Sequence, residues 1–274
     1  MNAKAVTLLF FSPTATTKTI LEKIAQGMGK PVAETLDITR PETRDLPAPD
    51  FTDQVLLVGA PVYAGRIPQV AADYFKTLKS SGVPAVPIVL YGNREFEDAL
   101  LELKDILDQG GFSPVAAGAF IGEHSFSTEE FRIATGRPDS QDLDQAFGFG
   151  QKISALLEST GNLEDLPALE VPGNFPYREK KKMGPIEFIE VSDACDECST
   201  CLAVCPVNAI DKEDGYATLD EICIHCCACV KVCPRGARTM KEGPIKDITR
   251  WLFDNYTQRK EPQVFYPGST GSKC

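Results

Sequence analysis

The stretch Ala5-Val6-Thr7-Leu8-Leu9-Phe10-Phe11-Ser12-Pro13-Thr14-Ala15-Thr16-Thr17-Lys18 decides the fold. Its first seven residues form a nearly continuous apolar run, as in a strand buried on both faces. A hydroxyl-rich loop follows. From Thr16 onward Ile20, Ile24 and Met28 step by four, the spacing of one helix face. A strand that turns straight into a helix opens a βαβ unit, and such units build parallel sheets. A secretory leader is the competing reading, but a seven-residue run without an Ala-x-Ala site falls short of that pattern.

Working outward, strand-like runs recur at 32–37, 54–60, 87–91 and 114–121, with helical spacing at 70–79, 96–109 and 141–158. The expectation is an α/β unit over 1–158, a doubly wound five-stranded parallel sheet with helices on both faces. Ligands of such sheets sit beyond the carboxyl ends of the strands, so the segments after each strand are the candidate sites.

A chain of 274 residues has room for about two domains. Residues 159–185 read as a linker punctuated by Gly161, Pro167, Pro172, Gly173, Pro176, Gly184 and Pro185. The basic cluster Arg178, Lys180, Lys181 and Lys182 is either solvated or a contact to the acidic second domain or to a partner. Net charge is −11, from 28 basic and 39 acidic residues, which disfavours nucleic acid and anionic membranes as partners. No apolar run approaches the roughly 20 residues of a membrane span.

Ten cysteines are the second deciding feature. Nine lie between Cys195 and Cys233, the tenth is Cys274, and the first 194 residues have none. A secreted disulfide scaffold would spread its cysteines, so this cluster points to metal ligation in a reducing compartment, and a cytoplasmic protein is expected. Cys195, Cys198, Cys201 and Cys205 have the spacing C-x2-C-x2-C-x3-C, followed by Pro206. Cys223, Cys226, Cys229 and Cys233 repeat it 28 residues on, followed by Pro234. A cubane iron–sulfur cluster wants one soft thiolate per iron corner. Zinc knuckles, the alternative, typically use two C-x2-C pairs per ion.

This segment resembles the bacterial two-[4Fe–4S] ferredoxin domain over about residues 186–240. The resemblance implies a small α+β ferredoxin-like domain at 186–242, a C-terminal extension at 243–274, and two clusters. In such runs the fourth Cys ligates the other cluster. That implies Cys195, Cys198, Cys201 and Cys233 for cluster one, and Cys223, Cys226, Cys229 and Cys205 for cluster two. Cys227 falls between two ligands and reads as a buried small side chain. His225 reads as a packing neighbour, and Cys274 as a bystander.

The hydroxyl loop lacks GxxxxGK[ST] and G-x-G-x-x-G, so neither a nucleoside triphosphate nor a dinucleotide fingerprint is present. Hydroxyls and N–H groups at a helix start suit one phosphate monoester, or simply cap the helix. The loop resembles the flavodoxin phosphate loop, Ser/Thr-x-Thr-Gly-x-Thr. Ser12, Thr14 and Thr17 match, Thr16 sits among them, and Ala15 replaces the glycine, so its φ is expected to be negative. After the third strand comes Pro61-Val62-Tyr63-Ala64-Gly65-Arg66, and after the fourth Gly92-Asn93-Arg94-Glu95-Phe96. Tyr63 and Phe96 offer flat faces to an isoalloxazine ring, Gly65 a peptide that turns toward it, and Asn93 and Arg94 polar groups for its pyrimidine rim.

The whole chain resembles the fused flavodoxin–ferredoxin proteins of anaerobes, the EFR1-type ferredoxin family. That resemblance implies a flavodoxin-like first domain, FMN, two [4Fe–4S] clusters and electron transfer between unidentified redox partner proteins. An alternative is a flavin-dependent reductase of a small substrate or quinone, with His124 and Tyr63 as candidate proton donors. A redox sensor docking to a larger complex is a third. His124 also reads as an ordinary surface-loop residue, and no catalytic residue is assigned.

Overall fold

The computed structural model describes residues 4–179, 186–269 and 272–273. Its first part runs β1 (Ala5–Phe10), α1 (Thr16–Met28), β2 (Val32–Asp37), α2 (Pro41–Arg44), β3 (Gln54–Pro61), α3 (Gln69–Phe75), β4 (Pro84–Tyr91), α4 (Ala99–Gln109), β5 (Ser113–Pro114), β6 (Ala117–Ile121) and α5 (Ser140–Ser159). The parallel strands lie in the order β6-β4-β3-β1-β2, and short β5 pairs with the start of β4. Chain direction across the sheet reverses at β1, which pairs with both β2 and β3. The loops after β1 and β3 therefore meet at the switch point where such sheets bind ligands.

Side chains alternate across the sheet and feed two cores. Leu9, Leu56, Val58 and Val89 pack on one face with Phe75, Leu100, Leu103 and Leu107 of α3 and α4. On the other, Leu8, Phe10, Leu57 and Ile88 pack with Ile20 and Ile24 of α1 and Phe149, Ile153 and Leu157 of α5. Helices α1 and α5 touch backbone to backbone: a Cβ on Gly150 would collide with the Ile24 carbonyl, and one on Gly27 with that of Phe147.

Several expected boundaries shift. The run at 114–121 breaks at Val115 and Ala116 into β5 and β6, the helix expected at 70–79 ends at Phe75, and the one expected from 96 begins at Ala99. Strand β2 is exposed because it is the edge of the sheet, not a strand buried on both faces.

The cysteine-bearing segment holds β7 (Ile189–Val191), α6 (Thr200–Val204), β8 (Ile210–Asp211), β9 (Ala217–Thr218), α7 (Ala228–Lys231) and β10 (Arg238–Met240). Strand β7 pairs antiparallel with β10, and β8 with β9. The 28-residue repeat of the sequence reappears in the backbone. Positive φ occurs at Glu197 and His225, at Ser199 and Cys227, and at Asn208 and Gly236. Ala209 N–H donates to Cys205 Sγ at 3.1 Å, and Ala237 N–H to Cys233 Sγ at 3.3 Å.

Residues 243–274 are expected as an extension, and the described residues 243–269 return to the first unit. Helix α8 (Pro244–Asn255) leads into β11 (Gln263–Phe265), which pairs antiparallel with β6, and β12 (Ser272–Lys273) pairs with β11. The five parallel strands thus gain an antiparallel border from the far end of the chain. Arg137 fixes the return. It forms a buried ion pair with Asp142 and donates to the Lys260 carbonyl at 2.7 Å.

Candidate functional site

The loop after β1 is closed by its own polar groups. Ser12 N–H donates to Thr39 Oγ1 at 2.8 Å, and Ser12 Oγ accepts from Lys18 N–H at 3.1 Å. Ala15 has φ 63, contrary to the negative value expected. It occupies the left-handed region that a glycine would take without strain, at a cost of roughly 1–2 kcal/mol for a residue with a Cβ. Ala15 N–H donates to the Ser12 carbonyl, and Thr19 N–H to the Ala15 carbonyl, so the tight turn into α1 imposes that conformation. Thr17 Oγ1 is buried with no hydrogen-bond partner. Beside it, the Thr16 and Thr17 amides at the start of α1 lack intrahelical acceptors and lie at the positive end of the helix dipole, while those of Lys18 and Thr19 are taken within the loop. A phosphate monoester fits this donor set.

After β3, Ala64 (φ 51) and Gly65 (φ 82) form the centre of a tight turn, with Tyr63 N–H donating to the Arg66 carbonyl at 2.8 Å and Arg66 N–H returning a bond at 3.2 Å. Two central residues with positive φ make a type I′ turn. Pro61 ends β3, and Val62 N–H donates to the Leu90 carbonyl at 2.7 Å. Arg66 turns its guanidinium to the frame instead. Its Nε and Nη2 hold the Glu102 carboxylate at 2.7 and 2.6 Å, its Nη1 reaches the Arg178 carbonyl, and it lies 4.5 Å from the Tyr177 ring. Glu102 is 3% exposed. Arg66→Ala should therefore destabilise the protein by about 3–5 kcal/mol, since it removes the counter-ion of a buried carboxylate that also accepts from Ile67 N–H at 3.1 Å. Urea unfolding followed by circular dichroism measures this.

After β4, Phe96 is buried against Tyr91 in the core rather than presented at the edge, so the flat face expected of it is unavailable. Gly92 lies under the His124 ring, where a Cβ would collide. Asn93 Nδ2 donates to the carbonyls of Tyr256 and Gln258 at 2.6 and 2.8 Å. That fixes the amide and leaves Asn93 Oδ1 buried without a partner. Arg94 pairs with Glu97 at 2.8 Å, and its carbonyl accepts from Lys260 Nζ. The carboxyl edge thus holds a buried unsatisfied hydroxyl after β1 and a buried unsatisfied acceptor after β4. Each costs about 1–3 kcal/mol unless a ligand pairs with it.

The chain has relatives among known proteins. The chain is 32% identical over 129 residues to flavodoxin 1 of Escherichia coli (strain K12), a match spanning 44% of this chain and 71% of that protein. It is 30% identical over 125 residues to the flavodoxin of Klebsiella pneumoniae, across 43% and 69%. The chain belongs to the flavodoxin family. Among solved structures, a flavodoxin from the domain Archaea aligns over 56% of this chain and 99% of its own, at 11% identity and TM-score 0.37. Rubredoxin oxygen:oxidoreductase from Desulfovibrio gigas aligns over 57% and 36%, at 15% identity and TM-score 0.40. No protein-family model matches. No helix among the described residues is long and apolar enough to cross a membrane.

Neither proposed proton donor of the flavodoxin unit is poised near neutrality. Burial, with Lys231 and Arg94 adding to it, pushes the His124 imidazole down to about 4. Its Nδ1 accepts from Phe126 N–H at 3.0 Å. The Tyr63 phenol is pushed well above its ordinary value by burial, then by the sulfurs of Cys226, Cys227 and Cys223. A histidine with a depressed folded pKa loses stability as pH falls. Unfolding free energy should therefore decline between about pH 6.5 and 4 through His124, with a slope of at most about 1.4 kcal/mol per pH unit. His124→Gln should flatten that part of a stability-versus-pH curve from chemical denaturation.

The cysteines gather around two small cavities. The first is lined by Cys195, Cys198, Cys201 and Cys233, the second by Cys205, Cys223, Cys226 and Cys229 with Cys227 beside them. The two enclose about 300 and about 340 Å³ of empty space, open solvent included. Among the described residues no three His, Cys, Asp or Glu side chains converge as they would around a single metal ion. Thiolates that share a cubane stand apart around it, so a sulfur-lined cavity is the relevant fit, and both cavities meet it. Cys227 is 3% exposed and packs with Phe188, Ile189 and Ile245.

The cysteine unit is seated on the carboxyl edge of the flavodoxin sheet. Arg40 Nη1 donates to the carbonyls of Leu202, Ala203 and Cys205, and Arg44 Nη2 to that of Pro206 at 2.6 Å. Phe126 meets the Phe188 ring at 5.6 Å, Lys231 pairs with Glu123, and Ile224 packs against the flavodoxin core. Sequence reasoning missed Arg40 and Arg44. Their signal was position alone, in the segment following β2. Arg178 of the basic cluster pairs with Glu97 of the flavodoxin unit rather than with the cysteine unit. Lys180, Lys181 and Lys182 lie outside the described residues.

Proposed function

We propose that this chain binds FMN on its flavodoxin unit and two [4Fe–4S] clusters on its cysteine unit, and that it relays electrons between them as a cytoplasmic carrier of anaerobic metabolism. The observation that carries the reading is the division of eight cysteines, four and four, between two like cavities next to a flavodoxin edge with unsatisfied polar groups. The Thr17 hydroxyl and the amides of Thr16 and Thr17 would hold the FMN phosphate, with Ser12, Thr14 and Thr16 completing the loop. Asn93 Oδ1 would accept from the pyrimidine rim of the flavin, and Tyr63 would supply the aromatic face. Cys195, Cys198, Cys201 and Cys233 would hold cluster one, and Cys205, Cys223, Cys226 and Cys229 cluster two. FMN takes one or two electrons and a cluster takes one, so a chain with both couples one-electron to two-electron partners. Electrons would pass to and from separate redox proteins. The reductase alternative is the second reading, with His124 and Tyr63 as its candidate proton donors, and no separate observation favours it.

The test is composition. Anaerobically purified protein should contain about eight iron, about eight acid-labile sulfide and one FMN per chain. Zinc in place of iron, or a chain that retains no flavin, would falsify the reading.

A further inference from the structure

The two cysteine cavities differ in what surrounds them. Contacts between the units fall on Phe188, Leu202, Ala203, Cys205, Pro206, Ile224 and Lys231, and of these Phe188, Cys205, Pro206 and Ile224 line the second cavity. None of these residues lines the first cavity. At the first cavity Cys198 is exposed, as are its neighbours Asp196 and Glu197 on the lip. In the second cavity Cys205 and Cys226 are buried.

The seating is fixed from both ends of the cysteine unit. Before it, Asp98 accepts from the amides of Asn174 and Arg178, pinning the incoming chain to the flavodoxin unit. After it, Asn93 and Arg137 hold the carbonyls of Tyr256, Gln258 and Lys260, and β11 joins the sheet. A unit anchored at entry and exit keeps the same cavity against the same edge.

We infer that Cys205, Cys223, Cys226 and Cys229 form the inner redox centre, facing the flavin edge, and that Cys195, Cys198, Cys201 and Cys233 form the outer centre, at which an external one-electron redox protein exchanges electrons at the Cys198 lip. This rests on the cofactor assignment proposed above. Each passage moves one electron and makes or breaks no bond within the relay. A reduced iron–sulfur partner protein would be the one-electron donor at the Cys198 lip, and bound flavin, beyond the Cys205, Cys223, Cys226 and Cys229 site, would be the acceptor, taking up two electrons over two encounters with protons from water.

The test reads positions rather than turnover. Holoprotein is partly reduced and its cluster signals are followed by electron paramagnetic resonance in the presence of a soluble gadolinium chelate. Cys198→Ser identifies the outer signal, because it either shifts or removes it. The outer signal should relax several-fold faster with the chelate and the inner signal should be little affected. In wild-type protein depleted of FMN, the inner line shape or potential should change while the outer stays put. Equal sensitivity of both signals to the chelate, or a flavin effect confined to the outer signal, overturns the order while leaving the cofactor assignment intact. Iron and flavin analysis of the same samples separates the two failures: a chain short of iron or flavin overturns the assignment and the order with it.

Discussion

Cys198→Ser should cut the iron of anaerobically prepared protein from about eight to about four per chain, or leave an altered first cluster, with FMN binding nearly unchanged. The reason is the location of Cys198. It is exposed at the lip of the first cavity, whose lining includes none of the residues that seat the cysteine unit on the sheet. Thr17 and Asn93 belong to a unit with its own two-sided core, which does not draw on the first cavity. Cys226→Ser should behave differently. Cys226 is buried in the second cavity, whose lining meets Arg44 and the flavodoxin core. Loss of that cluster removes a staple from a unit too small to hold a large core, and does so at the interface. This variant should lose iron, loosen the seating and weaken FMN retention together. Iron, sulfide and flavin content after gel filtration distinguish the two variants. Equal loss of flavin from both would mean that the first cavity also supports the flavodoxin edge.

The sheet was legible because its signal is local. A strand such as 5–10, apolar on both faces, followed at once by a hydroxyl loop and a four-step apolar face, leaves few alternatives. The cysteine spacing was equally local, since two runs offset by 28 residues can be read without any fold. What escaped depends on where distant segments meet. Strand β11 is three residues long, and nothing in Gln263, Val264 and Phe265 announces that they border β6. Arg66 and Phe96 stood at the right edge and in the right order. One is held by Glu102, 36 residues away, and the other is drawn into the core by Tyr91. A side chain after a strand reaches the ligand edge only if no nearer partner claims it, and that competition is tertiary. Ala15 makes the same point for the backbone: the residue type argues against positive φ, and the closure of the loop onto α1 imposes it.

Thr17→Val should weaken FMN binding by roughly ten- to hundred-fold while leaving riboflavin binding nearly unchanged. Valine keeps the shape and β-branching of threonine and removes only the hydroxyl, so α1 and its core contacts through Ile20 and Ile24 remain. A hydrogen bond to a charged group contributes about 1.5–3 kcal/mol, and about 1.4 kcal/mol is a factor of ten in affinity, which sets the range. The apoprotein should respond with the opposite sign. There Thr17 Oγ1 is buried without a partner, and its removal relieves a desolvation penalty of about 1–3 kcal/mol. The variant should therefore melt at or above the wild-type temperature as apoprotein and below it when saturated with FMN. Fluorescence titration with FMN and with riboflavin, beside thermal unfolding of the apoprotein, measures both halves. An equal loss for the two ligands would move the phosphate away from this loop. A destabilised apoprotein would mean that the hydroxyl is already satisfied without a ligand.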